Sequence, residues 1–195
     1  MKKALIGSGG HAREVMSQMS ESLVRFVDDV FCDGGDPMIL PLSSFNPEEY
    51  EVMLAIGDSI DRANVLSRLP KNTKFFSFIH PTAIVFSDTI SIGDGSFIGA
   101  YSILTCDIKI GKHAILNRGN HIGHDCNIGD CFSAMPGAIV SGGVSIGDVV
   151  YMGTNSSTIE KVSICSNVVI GAQGCVISDI LEEGTYVGVP AKKNI

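Results

Sequence analysis

The stretch 97–130, FIGAYSILTCDIKIGKHAILNRGNHIGHDCNIGD, repeats itself every six residues. Stepping by six from Phe86 meets Ile92, Ile98, Leu104, Ile110, Leu116, Ile122, Ile128, Ala134, Val140, Ile146, Met152, Thr158, Ile164, Ile170 and Val176, with Thr158 the single polar member. The next position is glycine in half of the series: Gly93, Gly99, Gly111, Gly123, Gly129, Gly147, Gly153 and Gly171. No α-helix has this period and no hairpin sheet requires it. A hexapeptide beat is the mark of a parallel β-helix, in which each rung buries one aliphatic side chain, turns and starts the next short strand. Glycine suits such a turn because it accepts positive φ and close backbone approach. The fifth place of the hexad is often small (Ser96, Ser102, Ala114, Cys126, Ala138, Ser156), as a narrow triangular interior demands. With three hexads to a coil, residues 86–181 make a little over five coils. Stacked rungs bury their core only against neighbours, so the segment is expected to behave as one cooperative unit.

The rest of the chain sets bounds. At 195 residues there is room for one large or two small domains. A formal charge of −7 argues against a nucleic-acid-binding surface. No apolar run reaches membrane-spanning length, and MKKALIG leads straight into a glycine-rich turn rather than a signal-peptide layout, so a cytoplasmic address is expected. The six cysteines show no CxxC pair and fall mostly inside the repeat, where a thiol serves as a small hydrophobe; they are expected reduced and structural.

Before residue 80 the pattern changes to alternating β and α. KKALIG reads as a short buried strand, GSGGH (Gly7 to His11) as a tight turn, and AREVMSQM as a helix with Val15, Met16 and Met19 on one face. RFVDD reads as a second strand ending in Asp28 and Asp29, and EVMLAIG (51–57) as a third. Asp58 or Ser59 can cap the helix IDRANVLSRL, and KFFSFI (74–79) reads as a fourth strand leading into His80-Pro81. The expected fold class is therefore an α/β N-terminal Rossmann-like domain over residues 1–80, followed by a β-helix over residues 81–195. Gly7-x-Gly9-x-x-Ala12 matches the loose dinucleotide fingerprint, with an acid about 20 residues on. Only one mononucleotide half fits, and the helix start after Gly10 offers free N–H groups to a phosphate. Asp28 can accept from a base or ribose. A plain turn and plain strand-end acids are the alternatives.

GSGGHA, FVDD, AIGD, FIHPTAIV, IGHDCNIGD, YMGTNS, VIGAQG and YVGVPAKK, in that order, resemble the bacterial nucleotide-sugar N-acetyltransferases and sialic acid O-acetyltransferases of the hexapeptide class. The likeness spans essentially the whole chain. It implies a left-handed coil; general crossover rules would favour the right hand. It also implies a homotrimer with active sites between subunits, acetyl-CoA in the cleft between neighbouring coils, and no metal. By the same resemblance Gly9, Gly10, His11, Asp28, Asp29 and Gly57 hold a nucleotide-linked amino sugar, His124 is the catalytic base and Asp125 its supporting acid. The cofactor cleft falls on Gly142, Thr154 and Ala172, with Ser133 at the position, nine residues after the base, where some relatives carry a second histidine. Lys192 and Lys193 are either CoA-phosphate contacts or a solvated tail. The implied substrate is a 4-amino-4,6-dideoxy sugar destined for a surface glycan.

These residue types suit the chemistry. Acetyl transfer from a thioester needs an amine or hydroxyl that loses its proton during attack, and imidazole is the usual base. A carboxylate on the other ring nitrogen fixes the tautomer. Consecutive strand residues point apart, so His124 and Asp125 can pair only if a turn intervenes. Gly142 lies one coil further on, where a small residue would leave room for a ligand beside the imidazole and could donate its N–H to an oxyanion. His121 is a solvated residue or an assistant, His113 reads as surface, and His80 as structural. An O-acetyltransferase acting on sialic acid shares all of these features. A zinc lyase would need three histidines around one metal, with two of them five apart in the class that shares this coil; His121 and His124 are three apart. A non-catalytic nucleotide-sugar sensor is the third alternative, against which the His124-Asp125 pair argues.

Overall fold

The computed structural model describes residues 1–194. The chain begins with β1 (Lys2–Ile6), α1 (Gly10–Met19), β2 (Val24–Val27), β3 (Ile39–Pro41), β4 (Tyr50–Leu54), α2 (Ser59–Arg68) and β5 (Lys74–Phe75). The five strands form one sheet in the order β3-β2-β1-β4-β5, with every pairing parallel. β3 lies in the Gly/Pro-rich stretch where no strand was expected. α1 buries Ala12 and Val15. α2 is capped by Asp58, whose carboxylate accepts from the N–H of Ile60 and Asp61.

The expected fourth strand, 74–79, is two elements. Lys74–Phe75 pairs with β4, whereas Phe78–Ile79 pairs with Phe97–Ile98 and opens the coil. From there the chain winds through three parallel faces. Phe78–Ile79, Phe97–Ile98, Ile115–Leu116, Ser133–Ala134, Tyr151–Met152 and Val168–Ile170 build the first face. Ile84–Val85, Ile103–Leu104, His121–Ile122, Ile139–Val140, Ser157–Thr158 and Cys175–Val176 build the second. Ser91–Ile92, Lys109–Ile110, Asn127–Ile128, Ser145–Ile146 and Ser163–Ile164 build the third. Every beat position from Ile98 to Val176 is at most 4% exposed, Thr158 included. Of the two earlier positions, Ile92 is partly buried and Phe86 is exposed. The first coil carries one extra residue, since Val85 rather than Phe86 pairs with Leu104, and Phe86 points out at 67% exposure.

The glycines after the beat act by close approach rather than by positive φ. A Cβ on Gly93 would lie 2.5 Å from the backbone of Gly111, and one on Gly123 would lie 2.7 Å from Gly142 N. The left-handed corner falls two residues later, at Tyr101, Asp107, His113, Asp125, Cys131, Val149, Asn155, Lys161, Asn167 and Gln173, with φ between 53° and 62°.

The sheet unit sits on the outer surface of the first face. Phe97 and Ile115, which point outward there, are each 1% exposed beneath Leu5, Ala12, Val15 and Met53. Burying each such side chain contributes about 1.5–3 kcal/mol. His113, expected at the surface, is 4% exposed at this junction because its ring packs edge-on against Phe75, 4.4 Å between centroids. Burial and the Arg62 charge pull its pKa down to about 4.

Candidate active site

His124 and Asp125 occupy a corner between the second and third faces. The left-handed backbone of Asp125 (φ 58°) swings its carboxylate back toward the preceding side chain, and Oδ2 lies 2.7 Å from His124 Nδ1. The turn that the sequence required is therefore present. Both side chains are open to solvent, at 63% and 66%. The corner is held by the next coil, where Gly143 N–H donates to the His124 carbonyl at 2.7 Å. Gly142 lies directly against the imidazole: a Cβ there would sit 2.6 Å from Nε2. The space left by the missing side chain is thus the seat of the ring itself, not an empty place for a ligand.

Thr154 and Ala172 occupy the opposite corner, between the first and second faces, on successive coils. Within one chain the whole second face separates them from His124 and Gly142. Ser133 departs from its expected role. It is fully buried under the sheet unit, its hydroxyl donates to Gly57 O at 2.8 Å, and it accepts from Arg62 Nη2 at 2.8 Å. A side chain so engaged does not face a cofactor cleft. Lys193 is paired with Glu182 at 2.9 Å, while Lys192 is exposed. His121 points outward on the second face between Ile103 and Ile139. Among the described residues no group of three His, Cys, Asp or Glu side chains is arranged to hold a metal.

A cavity of about 890 Å³ opens at the C-terminal ends of β1 and β2, lined by Gly7, Ser8, Gly9 and Asp28 among others. Its remaining wall includes residues the sequence reading missed: Phe31, Asp61, Asn64 and Arg68. Arg68 closes one side through a two-point ion pair with Asp28, at 2.9 and 3.0 Å. Helical spacing of Asp61, Asn64 and Arg68 could have suggested a shared face on α2, but not that this face borders the cavity. Asp29 lies beside the cavity rather than in it. Its Oδ1 accepts from Ser43 N–H at 3.1 Å, and the Ser43 hydroxyl and N–H together lower its pKa.

His11, expected at the nucleotide, turns away from this cavity toward the coil. Its ring meets Phe97 edge-on at 5.7 Å, Nδ1 lies 3.6 Å from Glu14 Oε2, and Nε2 is buried without a partner. Burial lowers its pKa, which favours the neutral ring. Gly10 borders the hollow on that same side, with His11 and Glu14. Gly57 packs on His11, and its carbonyl faces Ser133 and Arg62.

No family model matches the chain. A curated relative, the GDP-perosamine N-acetyltransferase of Escherichia coli O157:H7, is 26% identical over 170 residues, covering 78% of this chain and 75% of the relative. A mutant of the perosamine N-acetyltransferase of Caulobacter crescentus, solved in complex with CoA and GDP-perosamine, is 27% identical with a TM-score of 0.86, over 98% of this chain and 96% of that one. The acetyltransferase domain of PglB from Neisseria gonorrhoeae FA1090, in complex with acetyl coenzyme A, is 25% identical with a TM-score of 0.71, over 99% and 98% of the two chains. These two solved structures share the fold over essentially the whole of this chain. Fold and likeness together define the class: a hexapeptide-repeat acetyltransferase that works with acetyl-CoA. Within that class the chain is similar to sugar N-acetyltransferases.

Proposed function

We propose that this enzyme transfers the acetyl group of acetyl-CoA to the amino group of a nucleotide-linked 4-amino-4,6-dideoxy sugar, with His124 as general base. The observation that carries the reading is the 2.7 Å contact between His124 Nδ1 and Asp125. With Nδ1–H donating to the carboxylate, the lone pair of Nε2 is the one left for a proton. The sugar amine attacks the thioester carbonyl, the N–C bond forms, and Nε2 takes the amine proton. The tetrahedral intermediate then expels CoA sulfur, which His124 reprotonates. The N–H of Gly142, beside the ring, is the group we assign to the oxyanion.

We assign residues 1–80, as a Rossmann-like unit, to the nucleotide. Gly7 to Gly9 at the start of α1 meet the diphosphate, and Asp28, once released by Arg68, meets the ribose or base. The coil from residue 81 carries the transfer. A trimer completes the site in this reading, because a neighbouring copy can bring its Thr154 and Ala172 corner to the His124 and Gly142 corner. The outward ladder on the second face supports this assembly: Ile84 and Ile139 are 44% and 42% exposed there. The nucleotide sugars of surface-glycan assembly, made in the cytoplasm, are the expected substrates.

The test is thiol release from acetyl-CoA with GDP-, UDP- and dTDP-linked 4-amino sugars, with free sialic acid as the O-acetylation arm. His124→Ala is the control. GDP-linked sugars come first because the named relatives act on GDP-perosamine. Release with one amino sugar, at least 100-fold weaker in the control, supports the proposal. Release with sialic acid alone moves the enzyme to O-acetylation, and turnover unchanged in His124→Ala removes the assigned base.

A further inference from the structure

Arg62 is among the largest fully buried side chains of the protein. Every acceptor it meets is a neutral oxygen. Nη1 donates to the carbonyls of Ile56 (2.7 Å), Gly57 (3.2 Å) and Asp58 (3.3 Å). Nε donates to the His113 carbonyl (2.9 Å). Nη2 donates to the carbonyls of Cys131 (2.7 Å) and Phe132 (3.1 Å) and to Ser133 Oγ (2.8 Å). One planar group thus serves two bodies: Nη1 holds the loop after β4, while Nε and Nη2 hold two successive coils.

A buried guanidinium without a carboxylate is costly, and an apolar side chain in its place would leave carbonyls such as those of Ile56 and Cys131 without this donor. The arginine therefore does something that apolar packing does not. The rest of the junction is hydrophobic, built on Phe97, Ile115, Leu5 and Met53. Such contact is non-directional and leaves sliding and rotation weakly opposed. A fork of five N–H donors in fixed geometry removes those freedoms. The loop it grips also forms part of the cavity: Ile56 lines the wall, and Asp58 caps α2, which carries Asp61, Asn64 and Arg68 into it. Ser133 belongs to the same arrangement through its bond to Gly57 O.

We infer that Arg62, with Ser133, is a positioning residue that fixes the nucleotide-sugar cavity at a set distance and angle from the coil, and so sets where the sugar amine meets the thioester. This inference rests on the acetyl-transfer reading given above. Arg62 itself does not line the cavity, so the inference concerns catalytic alignment rather than direct contact with the nucleotide.

The experiment compares Arg62→Lys, Arg62→Gln and Ser133→Ala with the wild type. It measures kcat and both KM values with the amino-sugar nucleotide that the wild type turns over, and Kd for the matching free nucleoside diphosphate. A misplacement of about 1 Å costs about 100-fold in rate. Both Arg62 variants are expected to lose kcat by about that factor, with lysine failing to rescue because one ammonium cannot span both bodies. Ser133→Ala, the milder change that retains the guanidinium, is expected to lose about 3- to 10-fold, on the scale of one hydrogen bond. Nucleotide Kd and acetyl-CoA KM stay within about twofold in all three. Unchanged kcat with only a lowered Tm would overturn the inference, as would nucleotide affinity falling in step with kcat. A wild type that turns over no amino sugar defeats the parent reading instead. Amide exchange then decides the present one: faster exchange confined to 56–58 and 131–133 in Arg62→Lys supports it, and uniformly faster exchange overturns it.

Discussion

At His124 a single backbone angle decides what two adjacent side chains can do together. Asp125 adopts φ 58°, and the carboxylate that would point away from His124 in a strand lies 2.7 Å from its Nδ1. Asp125→Asn keeps the shape but allows the amide to donate, favouring the wrong tautomer; kcat is expected to fall about 10- to 100-fold with little change in either KM. Gly142→Ala drives a methyl into the ring position, 2.6 Å from Nε2. It should lower kcat while leaving nucleotide binding intact, which steady-state kinetics and calorimetry on the same sample will separate. His113 sets a pH dependence of a different kind. Its pKa lies at about 4 in the folded protein, below the ordinary 6.5. The folded state therefore binds fewer protons than the unfolded chain between those values. This contribution to stability is complete above about pH 6.5 and is lost as pH falls toward 4, to the order of 3 kcal/mol. Urea midpoints taken at pH 7 and pH 4.5 should converge for His113→Phe relative to wild type, because phenylalanine keeps the contact with Phe75 and does not titrate.

Among the elements, the coil corners carry the clearest cost. Most of the non-glycine residues held at positive φ are polar, and Asn155 and Asn167 tolerate this geometry well. Val149 does not: it is β-branched at φ 58°. Strain of this kind is of order 1–3 kcal/mol. Val149→Asn is expected to stabilise the protein by about 1 kcal/mol, read as a rise in Tm of about 2–4 °C by calorimetry. No rise, or a fall, would mean that the valine methyls contribute more by packing than the corner costs. The close-approach glycines lack this latitude, since a Cβ on Gly111 would lie 2.6 Å from the Gly129 carbonyl carbon.

For the whole molecule, the two faces of the coil that bear outward apolar residues have different fates. The first face is covered by the sheet unit, which buries Phe97, Ile115 and Ser133. The second leaves Ile84 and Ile139 exposed, with His121 between them in register. In the proposed trimer this face meets its neighbours. Ile139→Glu should then give folded monomers by light scattering, with unchanged circular dichroism and at least tenfold lower activity at submicromolar concentration. A trimer that persists with full activity would place the interface elsewhere. Among the described residues no helix is long and apolar enough to cross a membrane.

The sequence by itself determined the coil. A six-residue beat is a local rule repeated, and each rung needs only its neighbours to bury Ile98, Leu104 or Ile122, so the pattern survives in one dimension. It also exposed the glycine-rich turn, the strands and helices around it, and the chemistry of His124 and Asp125, because those lie within short windows. It misplaced Phe86, where one extra residue shifts the register, and joined two strands over 74–79, where the chain passes from one sheet to another without a break in hydrophobicity. The tertiary structure alone decided what happens at the junction. Arg62, Ser133, His113 and His11 are brought together from positions up to 122 residues apart, between His11 and Ser133. Read from the sequence, Ser133 is a cofactor contact, His113 a surface ring and His11 a substrate ligand, and Arg62 carries no assigned role. Burial between two bodies reverses those readings: removed from water, each polar group must take the partner that the fold supplies.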